Sequence, residues 1–428
     1  MRKNWRGRRI DRMEIYRTNQ VFVPGGMPTL TYVSRADRNL EEHLRAAYDN
    51  LCKLVTVTGS TKSGKTVLTN RVFPKTSSVW IDGGTVKEEE DLWNFILEQI
   101  GGYSESSASK ESETTAILSG EISASGQLPL ILKGGTKIGS TYEQKRGDGT
   151  EKKLALNPRA AAISQLRSSK RPLVIDDFHY LNRDFQGNVI RALKPLIFDG
   201  LPVILIAIPH RRFDTIKVER EITARLQPIP IPAWSAEELL QIPRNGFPLL
   251  NISVSTDVVH KLAAEAYESP HLMQDFCRLL ANDHGVKETS SSPVVISSVT
   301  DDLFRRVAEQ TGKVIFDKLA KGPTQRVDRI PRKLKDGRIV DIYKVVLLGL
   351  AKLSPGLQTV EYEQLRTAIR DILEDQIPAA HEVTRVVEKM AEIASSDEAS
   401  TPVLDWEKTE KKLHITDPFF AFFLKWGI

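Results

Sequence analysis

The feature that most constrains this chain is the run Gly59-Ser60-Thr61-Lys62-Ser63-Gly64-Lys65-Thr66, set between an apolar β-branched stretch (51–58, LCKLVTVT) and an amphipathic one (67–73, VLTNRVF). Strand, then G-x-x-x-x-G-K-[ST], then helix is the order that phosphate binding requires. Gly59 and Gly64 permit a backbone path whose successive N–H groups turn inward, and the helix behind them adds its positive N-terminal end. Lys65 can then place its charge between β- and γ-phosphates, and the Thr66 hydroxyl can ligate Mg²⁺. The expected cradle runs from Gly59 to Val67, and the expected ligands are ATP and Mg²⁺.

Downstream, Pro172-Leu-Val-Ile-Asp176-Asp177 reads as an apolar strand ending in two carboxylates. Paired acids at a buried strand tip suit the second half of such a site: Asp176 would hold Mg²⁺ through water, and Asp177 would orient and polarise the attacking water. A plain polar turn is the competing reading. The next strand, 202–209 (PVILIAIP), is apolar throughout, as a parallel strand covered on both faces must be. It ends at His210-Arg211-Arg212. A polar group there would report the γ-phosphate, Arg211 first and His210 second, with surface-loop residues as the alternative. In the helical segment 219–225, Arg225 is the candidate finger toward a neighbouring subunit's nucleotide, and a salt bridge to Glu219 or Glu221 is its ordinary alternative.

Taken together, GSTKSGKT, VIDDFHY, the strand ending in IPHRR and the ERE-ITAR segment resemble the AAA+ and STAND class of P-loop ATPases, in which a strand lies between the two motifs. The resemblance covers residues 21–285. Tyr32-Val33-Ser34-Arg35 is similar to the short V-x-R motif that covers adenine in replication-initiator and STAND ATPases, which implies Tyr32, Val33 and Arg35 as base contacts. Glu268-Ser269-Pro270 is similar to the G-x-P segment of STAND lids and implies that Pro270 packs on adenine, with Glu268 and Ser269 at the family's small position. The lid reads as helical: Ser235-Ala-Glu-Glu238 is a capping box, and 255–266 and 271–282 carry apolar residues at helical spacing.

At 428 residues the chain is long enough for two or three units. The expected division is a basic tail (1–20), an ATPase core (21–232) with an insertion at 104–150 read as a β-hairpin or a loop, a helical lid (233–311), a basic connector (312–340) and a winged helix (341–428). The expected fold is an α/β P-loop sheet of the ASCE type with a helical lid, followed by an α+β winged-helix domain. For the winged helix the pattern predicts helices over 341–353, 359–373 and 379–394 and strands over 402–404 and 412–415. The third helix has Val383, Val386, Val387, Met390 and Ile393 on its apolar stripe and three Glu against two cations outward, which makes it a poor groove binder.

The net charge of +5 is locally placed: residues 1–17 supply +5, residues 313–338 supply +6, and the rest is acidic. Solvated tail and linker is one reading of these patches, and attraction of a polyanion is the other. In the second case Arg326, Arg329, Arg332, Lys333, Lys335 and Arg338, or Lys408, Lys411 and Lys412 in the wing, would be backbone contacts to nucleic acid without sequence preference. Cys52 and Cys277 stand in no metal or redox spacing, and no apolar run approaches the roughly 20 residues of a membrane span, so a cytoplasmic protein is expected. Two functions compete. One is an ATP-binding and hydrolysing AAA+/STAND-type switch that couples nucleotide state to homo-oligomer formation and control of a protein effector; the resemblance implies a bacterial defence or mobile-element context. The other is a DNA-binding ATPase similar to replication initiators or transposition regulators. A nucleotide-binding scaffold that barely hydrolyses is the blandest reading.

Overall fold

Five short runs, β1 (Leu54–Thr58), β2 (Val79–Asp82), β3 (Leu173–Asp176), β4 (Val203–Ala207) and β5 (Leu226–Pro230), form one parallel sheet in the order β2-β3-β4-β1-β5. The computed structural model describes residues 14–49, 52–101, 157–208, 225–324, 329–354, 359–374, 376–395 and 402–428. The insertion at 104–150, His210, Arg211 and Arg326 lie outside these residues.

The sheet belongs to a compact unit made of residues 40–58 and 68–230. Every residue of β1 and β4 is buried, because both faces of a parallel sheet are covered by its crossover helices. Helix α1 (Leu40–Asp49) precedes β1, and the crossover helices are α2 (Lys65–Val72), α3 (Glu89–Ile100), α4 (Pro158–Ser169) and α5 (Arg183–Phe198). Trp93 and Ile96 of α3, Leu166 of α4 and Leu193 of α5 pack with Ile81, Ile175 and Leu205 of the strands. β5 carries Pro228 and Pro230, and it stands at the sheet edge, where a missing N–H breaks no ladder. The position of β4 between β1 and β3 is the expected one: Leu54 pairs Val203 on one side, and Leu173 pairs Val203 on the other.

A second unit joins residues 1–39, 59–67 and 231–428. Its first part is helical: α6 (Ala236–Gly246), α7 (Thr256–Glu265), α8 (Pro270–Asp283) and α9 (Asp301–Thr311), with a parallel pair β6 (Ile252–Val254) and β7 (Val294–Ile296). Leu240, Leu262, Phe276 and Phe304 form its core together with Val21 and Phe22. The capping box at Ser235 forms as expected: the Ser235 hydroxyl accepts from the Glu238 amide, and the Glu238 carboxylate accepts from the Ser235 amide.

After α10 (Lys313–Lys321) and a hairpin of β8 (Arg332–Lys333) and β9 (Ile339–Val340), the chain builds a winged helix. Its elements are α11 (Ile342–Lys352), β10 (Thr359–Glu361), α12 (Tyr362–Ile372), α13 (Ala380–Ser395), β11 (Leu404–Glu407), β12 (Lys412–Ile415) and a closing helix α14 (Pro418–Trp426). Here the structure departs from the sequence expectation. Thr359–Glu361 is not the start of a helix but a strand paired with Lys412–His414, so the sheet has three strands in the order β10-β12-β11. The stripe expected on α13 is buried at Val383, Val386, Val387 and Met390. Phe420 and Leu424 of α14 join the same core.

Candidate functional site

Left-handed backbone at Lys62 (φ 61°) and Gly64 (φ 88°) bends the loop that follows β1. Gly64 takes this conformation at no steric cost; Lys62 takes it as a strained residue. Gly59 is held by space instead: a Cβ there would lie 3.0 Å from Ile231 and from the Ser63 hydroxyl. Lys65 is buried, and its ammonium donates to the Gly59 and Ser60 carbonyls at 3.0 and 2.8 Å, so its charge is folded over the loop. The Thr61 and Ser63 hydroxyl oxygens are buried without a hydrogen-bond partner among the described residues. Unmatched buried hydroxyls beside a buried ammonium and a tight glycine bend suit a polyphosphate, which can accept from all of them. The residues present therefore fit a polyphosphate, and Thr66, in the first turn of α2, is the residue of the loop whose hydroxyl would hold a phosphate-bound Mg²⁺.

The acidic strand end is built by close backbone packing within the sheet unit. β2 and β3 run in register, so Asp82 pairs Asp176 at their C-terminal ends. Asp177 has φ 48°, and its N–H donates to the Asp176 carboxylate at 3.0 Å, which turns the chain sharply into Phe178–Tyr180. Gly83 fits under this turn: a Cβ on it would come within 2.6 Å of the Asp177 carbonyl oxygen and 3.1 Å of that of Asp176. The Asp82 carboxylate accepts from the Gly84 amide and fixes the facing turn. Asp82 and Gly83 escaped the sequence reading, although Gly-Gly after an apolar run was a visible signal. β1 and β3 are parallel members of one sheet, so Thr58 and Asp176 both stand at its C-terminal edge.

The remaining candidates divide. Arg225 is described, and its guanidinium lies 4.7 Å over the Phe198 ring. Val33 is buried in the core of the helical part. Arg35, at φ 52° and 5% exposed, gives its side chain to protein: Nε and Nη2 grip Glu238 at 3.0 Å each, and Nη1 and Nη2 reach the Pro232 and Ala233 carbonyls. Burial raises the Glu238 carboxyl, but the Arg35 and Ser235 hydrogen bonds outweigh it and hold the group below the ordinary carboxylate value. Pro270 opens α8, capped by Ser269. Tyr267 and Glu268 before it are both left-handed, a conformation that glycine would take at no steric cost.

Two neighbours of the loop escaped the sequence reading. Trp234 donates its indole N–H to the Ser63 carbonyl at 2.9 Å, beneath the Arg35 guanidinium at 4.8 Å. Lys62 lies 5.4 Å over Phe419 of α14, and His271 packs edge-on against the same ring. Burial and the Lys62 charge push the His271 imidazole below its ordinary value, and burial pushes the Asp417 carboxyl up.

The basic stretch is largely paired within the protein. Arg329 meets Asp341 at 2.5 Å and covers the Tyr343 ring, Arg332 meets Glu382, Lys333 meets Glu374, and Arg338 meets Asp336. Lys335 has no ion pair among the described residues. No helix among the described residues is long and apolar enough to cross a membrane.

A parallel sheet with β4 inserted between a phosphate-loop strand and an acid-bearing strand, joined to a helical lid and a winged helix, is the fold of AAA+ P-loop ATPases. The chain is similar in fold to three solved proteins in particular. These are a Walker-type ATPase of Pyrococcus abyssi (13% identity, TM-score 0.48, 92% of this chain and 99% of that one) and the Orc1 protein of Aeropyrum pernix in complex with DNA (12%, 0.45, 96% and 96%). The third is a STAND protein with a tetratricopeptide repeat sensor from Pyrococcus horikoshii (15%, 0.37), of which this chain matches 42% while 92% of this chain is covered. No protein-family profile and no curated protein matches the sequence. At these identities the likeness is one of fold.

Proposed function

We propose that the chain is an ATPase that binds Mg-ATP on residues 59–67 and hydrolyses it slowly, as a switch for self-assembly and partner control. The observation that carries the reading is the loop itself: buried Lys65, the left-handed Gly64 and the unmatched Thr61 and Ser63 hydroxyls suit a polyphosphate and nothing apolar. Backbone N–H groups and Lys65 hold the β- and γ-phosphates. Thr66 and Asp176 are the residues that would hold Mg²⁺, whose charge offsets that of the phosphate oxygens. Asp177 orients and polarises the water whose oxygen forms a bond to the γ-phosphorus as the bond to the bridging oxygen breaks. Tyr32, Val33 and Pro270 are proposed around the base, and Arg225 and Arg211 at the γ-phosphate of a neighbour or of the same chain. The support for a separate nucleic-acid function is weaker, because four of the five described connector cations named for it have carboxylate partners.

Two variants test the site. Lys65→Ala should abolish both nucleotide binding and turnover. Asp177→Asn should keep Mg-ATP affinity within about twofold and lower kcat by at least about 10²-fold, the usual contribution of a positioned base. Equilibrium binding with a fluorescent ATP analogue and phosphate-release kinetics read the two quantities separately. An Asp177→Asn variant that turned over at the wild-type rate would sink the assignment of that carboxylate.

A further inference from the structure

Phosphate loops are read from their own sequence, yet the peptide planes of this one are held from outside it. Trp234, on the segment between β5 and α6, donates its indole N–H to the Ser63 carbonyl at 2.9 Å. The Ser63–Gly64 peptide is planar and trans, so its C=O and N–H point in opposite directions. With the carbonyl held toward the indole, the Gly64 N–H is turned away from it. Gly64 is the residue whose left-handed φ of 88° sets the last bend before Lys65.

The indole is itself firmly placed. The Arg35 guanidinium covers its ring at 4.8 Å and donates to the carbonyls of Pro232 and Ala233, the two residues before it. Glu238 takes both Arg35 Nε and Nη2 at 3.0 Å and accepts from the amide of Ser235, the residue after it. The backbone on both sides of Trp234 and one face of its ring are thus tied to one buried ion pair, whose arginine side chain is 3% exposed. A bidentate guanidinium–carboxylate pair has a fixed orientation as well as a charge, which a lysine could not reproduce.

We infer that Trp234, held by Arg35 and Glu238, is a positioning residue for phosphate binding: it fixes the Ser63–Gly64 peptide so that the Gly64 N–H faces the β-phosphate. This rests on the ATP-binding reading of the loop and deepens it. It also gives Arg35 a task other than covering adenine. Trp234 acts through the peptide, and so it governs affinity for the diphosphate portion, shared by ADP and ATP, more than the chemical step.

The test uses the full-length chain and two probes, Mg-ADP and Mg-ATP, measured by equilibrium binding well below the thermal midpoint. Trp234→Phe keeps an aromatic ring under Arg35 and deletes only the donor. It should weaken both nucleotides by about fivefold, the worth of one hydrogen bond, with kcat changed less than the affinity. Arg35→Lys, which loses the fork, should weaken both nucleotides in the same direction. Wild-type tryptophan emission should shift on adding Mg-ADP, and the shift should shrink in Trp234→Phe. If Trp234→Phe lowers the thermal midpoint but binds both nucleotides as wild type does, the role is structural only and the inference is overturned. Lys65→Ala separates this from failure of the underlying reading: wild-type protein that binds neither nucleotide, or binds them equally without Lys65, removes the site itself and the inference with it.

Discussion

Gly83 shows how much of the site is decided by a single missing methyl group. It follows β2, and its Cα faces the backbone carbonyls of Asp176 and Asp177, where an added Cβ would sit 3.1 and 2.6 Å from oxygen. A backbone carbonyl in a left-handed turn cannot swing aside as a flexible side chain can. Gly83→Ala should therefore push the acidic turn rather than be absorbed by it, costing about 1–3 kcal/mol of stability. On the catalytic reading it should also lower kcat while leaving Mg-ADP affinity close to wild type. Thermal denaturation and single-turnover kinetics measure the two effects, and an unchanged kcat would detach the turn from the chemistry. Residues such as Gly59, Gly64, Lys65 and Thr66 were legible because their meaning is local, being fixed by spacing along one stretch of chain. Gly83 was not, because its importance follows from the register of β2 against β3, and Trp234 was not, because its partner is 171 residues away.

At the scale of elements, helix starts were the most readable feature. Ser235 with Glu238 announces α6 by residue type alone, and the cap forms; Ser269 caps α8 in the structure, although its sequence pointed only to the lid motif. β10 was misread as helix because a three-residue strand has no period of its own and exists only through its pairing with β12. The cap at Ser235 also carries the Arg35 pair, and this gives α6 a pH dependence. The Glu238 carboxyl is held below its ordinary value near 4.5 in the folded protein, so the ionised form contributes stability above that value. The contribution is lost as pH falls through the lower folded-state value. The wild-type thermal midpoint should accordingly show no fall from this group between about pH 7 and 5 and a drop below about pH 4. Glu238→Gln should be less stable at pH 7 by about 2 kcal/mol, the usual worth of hydrogen bonds to a charged group, and its acid loss should be shallower. Calorimetric midpoints of the two proteins across pH 3–7 test this, and parallel curves would show that the pair does not report α6 stability.

Over the whole molecule, charge is where sequence and structure say different things. Composition shows two basic stretches on an acidic remainder, and from residue counts alone both were equal candidates for a polyanion. Pairing is a tertiary property and is invisible in residue counts: Arg332 finds Glu382 on α13, and Lys333 finds Glu374 after α12, across 50 and 41 positions of chain. A cation already beside a carboxylate neutralises a phosphate poorly, because the partner must be displaced or share the field. The connector should therefore contribute little to the release of counterions from duplex DNA, where each engaged phosphate steepens the slope of log K against log salt by about 0.9. The counterweight in the sequence is the stretch 1–17, which holds seven cations against Asp11 and Glu14. Replacing Arg332, Lys333 and Arg338 together by Gln should change the salt slope of non-specific duplex binding by less than about 1, whereas deleting residues 2–12 should remove most of it. Fluorescence anisotropy with a labelled duplex at several salt concentrations measures both. A slope that collapsed in the connector variant and survived loss of the tail would mean that the ion pairs open on DNA, and would restore the connector as the polyanion-binding surface.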